Sequence, residues 1–267
     1  MKKKHSSLYR RIKNDSSLIF VMPRGGVMEE IMNKILQSGF EELGLNYTDE
    51  IEEKFNKYKE LLLDWNQKIN ITRIENNEEI YIKHYLDSVI LLDSDNKSMD
   101  KKIIDVGTGG GFPGLPLKIV NNNFQLTLLD SLRKRTDFLQ LVSDTLKLEN
   151  VKVIHGRAED FGQDIKYREQ YDICVSRAVA PLNILCEFCL PFVKVGGYFA
   201  AYKSENISEE IVESNNAIEK LSGKIIDIKV VKIPNSDITR KIVIIEKIKK
   251  MENMYPRKAG TPAKKPL

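Results

Sequence analysis

Apolar residues recur at every third or fourth position through the first third of the chain, the spacing that gathers side chains on one face of a helix. The clearest stripes consist of Ile31, Ile35, Leu36 and Phe40 and, behind a predicted N-cap at Thr48, of Ile51, Phe55, Tyr58, Leu62, Trp65 and Ile69. A third helix is predicted over about residues 77–92, and it carries His84 and Asp87. Residues 28–98 are therefore predicted to form a small N-terminal helical region.

From residue 102 onward, short apolar runs alternate with helical patterns, which is typical of a parallel sheet with helices on both faces. After a first strand that ends near Asp105, strands are predicted at 124–129, 151–155, 171–176, 198–203, 225–233 and 240–246, and helices at 136–148, 182–193 and 208–221. The stretch between residues 155 and 171 is expected to be irregular. The last two strands are close in sequence and predict a closing pair in which only one strand is antiparallel. Residues 99–248 are thus predicted to be an α/β, Rossmann-like domain.

A glycine-rich turn follows the first predicted strand, where the sequence reads DVGTGGGFPG from Asp105 to Gly114. The next helix and strand lead to Asp130, 25 residues after Asp105. Glycines let the backbone turn sharply and approach a ligand closely. An acid at the tip of the second strand can accept hydrogen bonds from two ribose hydroxyls. This unit predicts a site for a nucleotide-like cofactor.

Two classes of cofactor use such a turn. Residues 109–114 satisfy the dinucleotide pattern G-x-G-x-x-G, but Asp105 is a poor neighbour for a pyrophosphate and a good one for the cationic amino-acid end of S-adenosylmethionine. Pro113 stands where a dinucleotide-binding helix would offer free N–H groups to phosphate. The residues favour S-adenosylmethionine, while a dinucleotide enzyme and a purely structural turn stay open as alternatives.

The formal net charge of +4 is concentrated at the two ends of the 267-residue chain. Residues 1–27 hold seven Lys/Arg against one acid, and residues 249–267 hold six against one, so the segment between them is acidic. Residues 1–27 show no sustained period and are predicted to be a basic disordered extension, or a misassigned start before Met28. Residues 249–267 are predicted to be a basic C-terminal tail that is extended because of its prolines and that binds RNA or closes over the site. Basic ends suggest contact with a polyanion such as RNA, although solvated tails are an alternative.

Composition narrows the class of protein further. No apolar run approaches the roughly 20 residues of a membrane span, so a cytoplasmic protein without membrane contact is expected. The three cysteines include the pair Cys186 and Cys189, but one C-x-x-C pair cannot complete a tetrahedral metal site, and no metal is predicted.

Several segments together resemble the RsmG (GidB) family of bacterial methyltransferases. They are WNQKINIT at 65–72, HYLDS at 84–88, the glycine-rich turn, LDSLRKR at 129–135, GRAED at 156–160, SRA at 176–178 and, most specifically, YPRKAGTPAKKPL at 255–267. The resemblance covers residues 28–267. It implies a class I, Rossmann-like sheet and S-adenosylmethionine-dependent methylation of N7 of one guanosine in small-subunit (16S) ribosomal RNA. The implied partner is this RNA or the 30S particle, and the protein is expected to act as a monomer.

The resemblance also implies roles for particular residues. Cofactor contacts are expected from Asp105, Gly107, Gly109, Phe112, Asp130, Ser131, Leu132, Ala158, Glu159 and Arg177, the last beside the methyl-transfer region. RNA contacts are expected from His84, Arg257, Lys258, Lys264 and Lys265. Each role has an alternative: Asp130 could cap the next helix, Glu159 could be a solvated loop acid, and Arg177 could pair with a carboxylate at the end of the sheet.

The expected chemistry needs no catalytic base. Guanine N7 carries a lone pair and no proton, so positioning should supply most of the rate, with Arg177 as a positioning residue. Amino-group methylation predicts an acid or Asn before two prolines and an aromatic after the fourth strand, where this chain has SRAVAP at 176–181. Methylation of pyrimidine carbon 5 needs an exposed cysteine, whereas Cys174 lies inside the predicted strand. A dinucleotide-dependent oxidoreductase and a non-enzymatic RNA-binding assembly factor are the alternatives.

Overall fold

The computed structural model describes residues 24–92 and 100–267. Within these ranges, three helices precede the sheet: α1 is Arg24–Glu42, α2 is Asp49–Ile69, and α3 runs through Asn77–Ile80, a π-helical Tyr81–Leu86 and Asp87–Val89. The hydroxyl oxygen of Thr48 accepts a hydrogen bond from the Ile51 N–H at 3.3 Å, which confirms the predicted cap of α2. The three helices correspond to those predicted from the apolar stripes.

The start of α1 differs from the prediction. The helix begins at Arg24, so residues 24–27 are helical, whereas residues 1–27 were assigned to a disordered extension. The rest of that prediction concerns residues 1–23 and lies outside the described residues, as do residues 93–99 of the predicted helical region. Gly25 and Gly26 are poor helix formers and hid the first turn of α1 from the periodicity.

Seven strands form one sheet in the order β3-β2-β1-β4-β5-β7-β6. The strands are β1 Lys102–Val106, β2 Gln125–Asp130, β3 Val151–His155, β4 Tyr171–Arg177, β5 Val193–Lys203, β6 Gly223–Lys232 and β7 Thr239–Lys247. The first five strands are parallel to one another, and β7 is antiparallel to both β5 and β6. The predicted fold class and the single antiparallel strand are confirmed.

Helices of the α/β part connect the strands. They are α4 Gly114–Val120, α5 Arg133–Thr145, α6 Ala158–Gln163, α7 Leu182–Cys189 with a 3-10 turn at Leu190–Phe192, and α8 Ser208–Lys220, followed by the one-turn α9 Thr261–Lys264. The sequence prediction of an irregular stretch before β4 was wrong for α6. This helix has only six residues, too few for an apolar period to be visible, and two acids in its first turn favour its N-terminus.

Neighbouring residues of the central strands face opposite sides of the sheet, as strand geometry requires. Ile103 packs with α1 to α5, whereas Ile104 packs with α6 to α8 and the C-terminal segment. Cys174 in β4 is fully buried on the second side, as its place in the strand predicted. Helices therefore cover both faces.

Aromatic rings join the helical region to the first face of the sheet. Tyr58 of α2 stacks on Phe112 of the glycine-rich turn at 5.4 Å between ring centroids and lies 6.4 Å from Phe138 of α5. Tyr85 of α3 lies 4.6 Å from Phe55 and 5.6 Å from Tyr58. The helical region thus shares one hydrophobic core with the sheet rather than forming a core of its own.

None of the helices in the described ranges is both long and apolar enough to span a bilayer.

Candidate active site

A cleft of about 200 Å³ opens at the carboxyl ends of β1, β2 and β3. Ligands of open α/β sheets collect at this edge, where the strand order reverses. The cleft is lined by Val106, Gly107, Leu129, Asp130, Ser131, Gly156, Arg157, Ala158, Glu159, Val179, Phe188, Gly260 and Ala263. Five residues of the predicted cofactor set lie in this lining: Gly107, Asp130, Ser131, Ala158 and Glu159.

The backbone of the turn requires glycine at residue 107. Gly107 has φ of +69°, a left-handed conformation that side chains with a Cβ rarely adopt. A Cβ placed there would lie 2.7 Å from a methyl group of Val179, which itself lines the cleft. Any side chain at this position would therefore displace part of the cleft wall.

Asp130 connects the turn to the end of β2. Its Oδ2 accepts a hydrogen bond from the Gly109 N–H, and its Oδ1 accepts one from the Leu132 N–H, both at 2.9 Å. The side chain is 3% exposed. Since each carboxylate oxygen has two lone pairs, Asp130 can order the loop and still accept a hydrogen bond from a ligand. Gly109 and Leu132 do not line the cleft, and they are connected to it by these hydrogen bonds from their N–H groups to Asp130.

Asp105 fixes the glycine-rich turn from below and does not line the cleft. Its Oδ2 accepts hydrogen bonds from the Thr108 hydroxyl at 2.7 Å and the Gly114 N–H at 2.8 Å, while its Oδ1 is buried without a hydrogen-bond partner. Burial raises the pKa of Asp105 to about 7. Because Gly114 is the first residue of α4, its bond to Asp105 occupies an N–H that a dinucleotide phosphate would need.

The outer wall of the cleft comes from the far end of the chain. Glu159, at the start of α6, accepts a hydrogen bond from the Gly260 N–H at 2.8 Å, and the Glu159 side chain is buried. Gly260 and Ala263 line the cleft beside it. Glu159 is therefore not a solvated loop acid. The sequence had singled out the closing segment as its most specific motif and expected it either to bind RNA or to close over the site, but it did not name Gly260 or Ala263 as site residues.

A buried polar cluster lies beneath the glycine-rich turn, on the side of the helical region. Arg177, at the end of β4, pairs with Asp87 of α3 at 2.8 Å and donates to the Lys83 carbonyl at 3.2 Å. Asp87 also pairs with Arg240 of β7 at 2.8 Å. The structure thus places Arg177 outside the cleft lining, because its guanidinium is held by the carboxylate of Asp87, which belongs to a distant part of the chain.

His84 belongs to the same cluster, and the structure does not support its expected role as a direct RNA contact. Its ring is stacked on Phe112 at 4.3 Å with the planes 5° apart, and its Nε2 lies 2.8 Å from the Thr72 hydroxyl. Burial, and then the charge of Arg177, lower the pKa of His84 to about 3, so the ring is neutral. Phe112 is likewise packed between Tyr58 and His84 rather than exposed in the cleft.

The basic residues of the tail divide into two groups. Arg257 forms a bidentate pair with the buried Glu187, with nitrogen–oxygen distances of 2.6 to 3.1 Å, so its guanidinium has an internal partner, and its expected contact with RNA stays a prediction. Lys258, Lys264 and Lys265 are exposed. The tail was expected to be extended because of its prolines, but Thr261–Lys264 forms one helical turn, with Pro262 in its first turn, where proline is tolerated.

The chemistry of the lining fits S-adenosylmethionine better than a dinucleotide. Two carboxylates, Asp130 and Glu159, border the cleft, Arg157 is a cation of the lining, and Arg135 lies 3.6 Å from Oδ2 of Asp130. Such a site suits a cofactor that has ribose hydroxyls and a positive sulfonium, and it repels a pyrophosphate. In the described part of the chain, no group of three or more His, Cys, Asp or Glu side chains could hold a metal ion.

The strand order, the antiparallel seventh strand and the acid-lined cleft define the Rossmann-like methyltransferase class. A family model described as rRNA small subunit methyltransferase G matches residues 51–242. The chain is 51% identical over 233 residues to the ribosomal RNA small subunit methyltransferase G of Alkaliphilus metalliredigens, covering 87% of this chain and 98% of that one. Identity to its Clostridium tetani counterpart is 50%, with the same coverage. The chain therefore belongs to the rRNA small subunit methyltransferase G family, which confirms the resemblance found in the sequence.

Solved structures with low sequence identity share the fold. A chain from the complex between a Haloferax volcanii methyltransferase activator and a putative methyltransferase aligns with a TM-score of 0.50 at 13% identity, covering 70% of this chain and 98% of that one. A mutant of MtNAS aligns with a TM-score of 0.50 at 12% identity, covering 91% and 96%. These two similarities concern the fold alone.

The neutral state of His84 predicts a specific pH dependence of stability. Folded His84 stays neutral down to about pH 3, whereas the unfolded side chain takes up a proton below its ordinary pKa of about 6.5. The unfolded state therefore gains stability as the pH falls, by about 1.4 kcal/mol per pH unit between about pH 6 and 4 for this group. In His84→Gln this contribution is absent. The unfolding free energy of the wild type minus that of the variant should therefore decrease by about 1.4 kcal/mol for each pH unit by which the pH falls.

Denaturant titrations of both proteins at several pH values between 7 and 4 measure this difference. A difference that stays constant over the range would mean that His84 is protonated in the folded protein.

Proposed function

We propose that this protein transfers a methyl group from S-adenosylmethionine to N7 of one guanosine in small-subunit ribosomal RNA. The observation that carries the proposal is the acid-lined cleft at the ends of β1, β2 and β3, in a chain that belongs to the family named for this RNA. The names of the relatives support the substrate class, and the chemistry of the site supports the choice of atom.

Five lining residues would hold the cofactor. Gly107 offers its backbone at close approach, Asp130 and Ser131 offer oxygens to the ribose, and Ala158 and Glu159 border the adenine. When bound, S-adenosylmethionine supplies a methyl group activated by a positively charged sulfur. The carboxylates of Asp130 and Glu159 favour that charge in a partly buried cleft.

The residues around the cleft suit attack by a nucleophile that carries no proton. Both carboxylates are already hydrogen-bonded to backbone N–H groups, and Cys174 is buried inside β4, where burial raises the pKa of its thiol. Since both carboxylates are assigned to the ribose and adenine of the cofactor and the thiol is buried, neither a base nor a reactive thiolate is offered to a substrate that needs one. Guanine N7 needs neither, because it is unprotonated in the free base. Arg177 acts here as a positioning residue for the glycine-rich turn, because its guanidinium carbon lies 5.4 Å from the centre of the Phe112 ring.

RNA recognition is assigned to the exposed lysines near the outer wall of the cleft, Lys258, Lys264 and Lys265. The N7 atom lies on the major-groove edge of guanine, and the major groove of an A-form helix is deep and narrow. The target guanosine must therefore lie in a loop or a distorted stem. The lysines would contact phosphates and set orientation rather than read the base sequence.

The cofactor assignment predicts the effect of Asp130→Asn. The amide keeps the size of the side chain but loses the charge and one set of acceptor lone pairs, so the free energy of S-adenosylmethionine binding should weaken by about 1–3 kcal/mol. Calorimetry measures the dissociation constant, and Asp144→Asn on the outer face of α5 is the matched control. Equal affinity in wild type and Asp130→Asn would remove Asp130 from the cofactor site.

The reaction itself predicts a methylated guanosine that can be located chemically. Purified protein is incubated with labelled S-adenosylmethionine and unmethylated small subunits, and the RNA is then treated with borohydride and aniline, which cleave the chain at N7-methylguanosine. A single cleavage site that depends on the enzyme is expected. Label on the RNA without an aniline-sensitive site would mean that another atom is methylated, and no transfer at all would favour a non-enzymatic assembly factor.

The proposed RNA contacts predict a change in salt dependence. Replacing Lys258, Lys264 and Lys265 by alanine should raise the Michaelis constant for RNA. The slope of the logarithm of this constant against the logarithm of the salt concentration should become shallower by about 0.7–0.9 per lost phosphate contact. The affinity for S-adenosylmethionine should stay the same. The control replaces Lys224 and Lys232 of β6, at the opposite edge of the sheet, and an equal effect of both variants would argue for general charge attraction instead of these contacts.

A further inference from the structure

The chain leaves β7, crosses the second face of the sheet and then reaches the cleft. We call residues 251–256, in the middle of this path, the tail turn. Met251, Tyr255 and Pro256 of the tail turn are buried. Its main chain is held by side chains from residues 163–169, which comprise the last residue of α6 and most of the segment between α6 and β4.

Arg168 makes most of these bonds. Its Nη1 donates to the carbonyl oxygens of Tyr255 at 2.6 Å and Gly162 at 3.0 Å, and its Nη2 donates to those of Met251 at 3.2 Å and Glu252 at 3.1 Å. One guanidinium thus bridges the end of α6 and three peptide groups of the tail turn. Lysine cannot reproduce this pattern, because its donors radiate from a single nitrogen.

Two neighbours of Arg168 bind the same turn. Gln163 donates its side-chain N–H to the Pro256 carbonyl at 2.7 Å, and Glu169 accepts a hydrogen bond from the Met251 N–H at 2.9 Å. Four residues beyond the turn, Gly260 donates to Glu159 and lines the cleft. A continuous set of contacts therefore runs from Arg168 through the tail turn to the outer wall of the cleft.

We propose that Arg168 is a positioning residue for cofactor binding, which acts by fixing the tail turn so that Gly260 and Ala263 close the outer wall of the cleft. The inference rests on the proposed function, since it takes S-adenosylmethionine as the ligand of the cleft. Arg168 is absent from the cleft lining, so it can affect affinity only through the elements that it holds, which are the tail turn and the end of α6. Three of its four hydrogen bonds go to the tail turn, which favours the route through the tail. A role in stability alone would leave the affinity of the folded protein unchanged.

The test is a double-mutant cycle in the full-length protein, with S-adenosylmethionine affinity measured by calorimetry. Arg168→Lys keeps the charge but loses the four-carbonyl geometry, and we expect the dissociation constant to rise about tenfold. Gly260→Pro removes the N–H that Glu159 binds and cannot adopt the φ of +82° found there, so it displaces the outer wall. If Arg168 acts through the tail, Arg168→Lys should have almost no further effect in the Gly260→Pro background. The control is Lys166→Ala, an exposed lysine in the same segment.

A second measurement follows the tail directly. Trypsin cleaves after Lys258, and mass spectrometry gives the rate at which the C-terminal peptide is released. S-adenosylmethionine should slow this release in the wild type and protect Arg168→Lys several-fold less. If Arg168→Lys does not fold, as judged by circular dichroism, Gln163→Ala takes its place, with a smaller effect expected in the same direction.

The outcomes separate this inference from the proposed function. A wild type that does not bind S-adenosylmethionine overturns both. A wild type that binds, together with a folded Arg168→Lys that binds equally well, overturns only the role of Arg168. If Arg168→Lys lowers the affinity by the same factor in the wild-type background and in the Gly260→Pro background, Arg168 does not act through the tail. That result would also overturn the inference.

Discussion

One buried carboxylate, Asp87, fixes how the helical region sits on the sheet. It is 1% exposed and pairs with two arginines from different strands, Arg177 of β4 and Arg240 of β7. A charge removed from water costs several kcal/mol unless it is paired, so α3 is stable only where both guanidinium groups reach it. His84 is one turn away on the same helix and is thereby held against Phe112 of the glycine-rich turn. The position of the turn thus depends on an ion pair that does not touch the cleft.

The cleft is assembled from parts of the chain that are far apart in sequence. Its inner wall is the turn after β1 and the tip of β2, its floor the start of α6, and its outer wall the tail. The helical region supports the turn from below, while Arg168 and Glu187 hold the tail from the other face of the sheet. A cofactor in the cleft would therefore contact elements that are ordered by separate networks, and its affinity should respond to changes in either.

The sequence predicted what is local and missed what is distant. Asp130 could be placed because a strand, a glycine turn, a helix and a strand follow one another within 29 residues, from 102 to 130, and have one common geometry. The partner of Arg177 lies 90 residues away, and the partner of Gly260 lies 101 residues away. A pattern of residue types in a single sequence does not say which distant charges meet. His84 and Arg257 were assigned to RNA for this reason, whereas their partners are internal.

The position of the cofactor is measured most directly by a crystal structure of the full-length protein with S-adenosylhomocysteine. The ribose is expected beside Asp130, the adenine beside Glu159, and the tail at Gly260 and Ala263 against the ligand. Clear density for the ligand at a different edge of the sheet, or in this cleft with the tail displaced from it, would contradict a site built jointly by the glycine-rich turn and the tail.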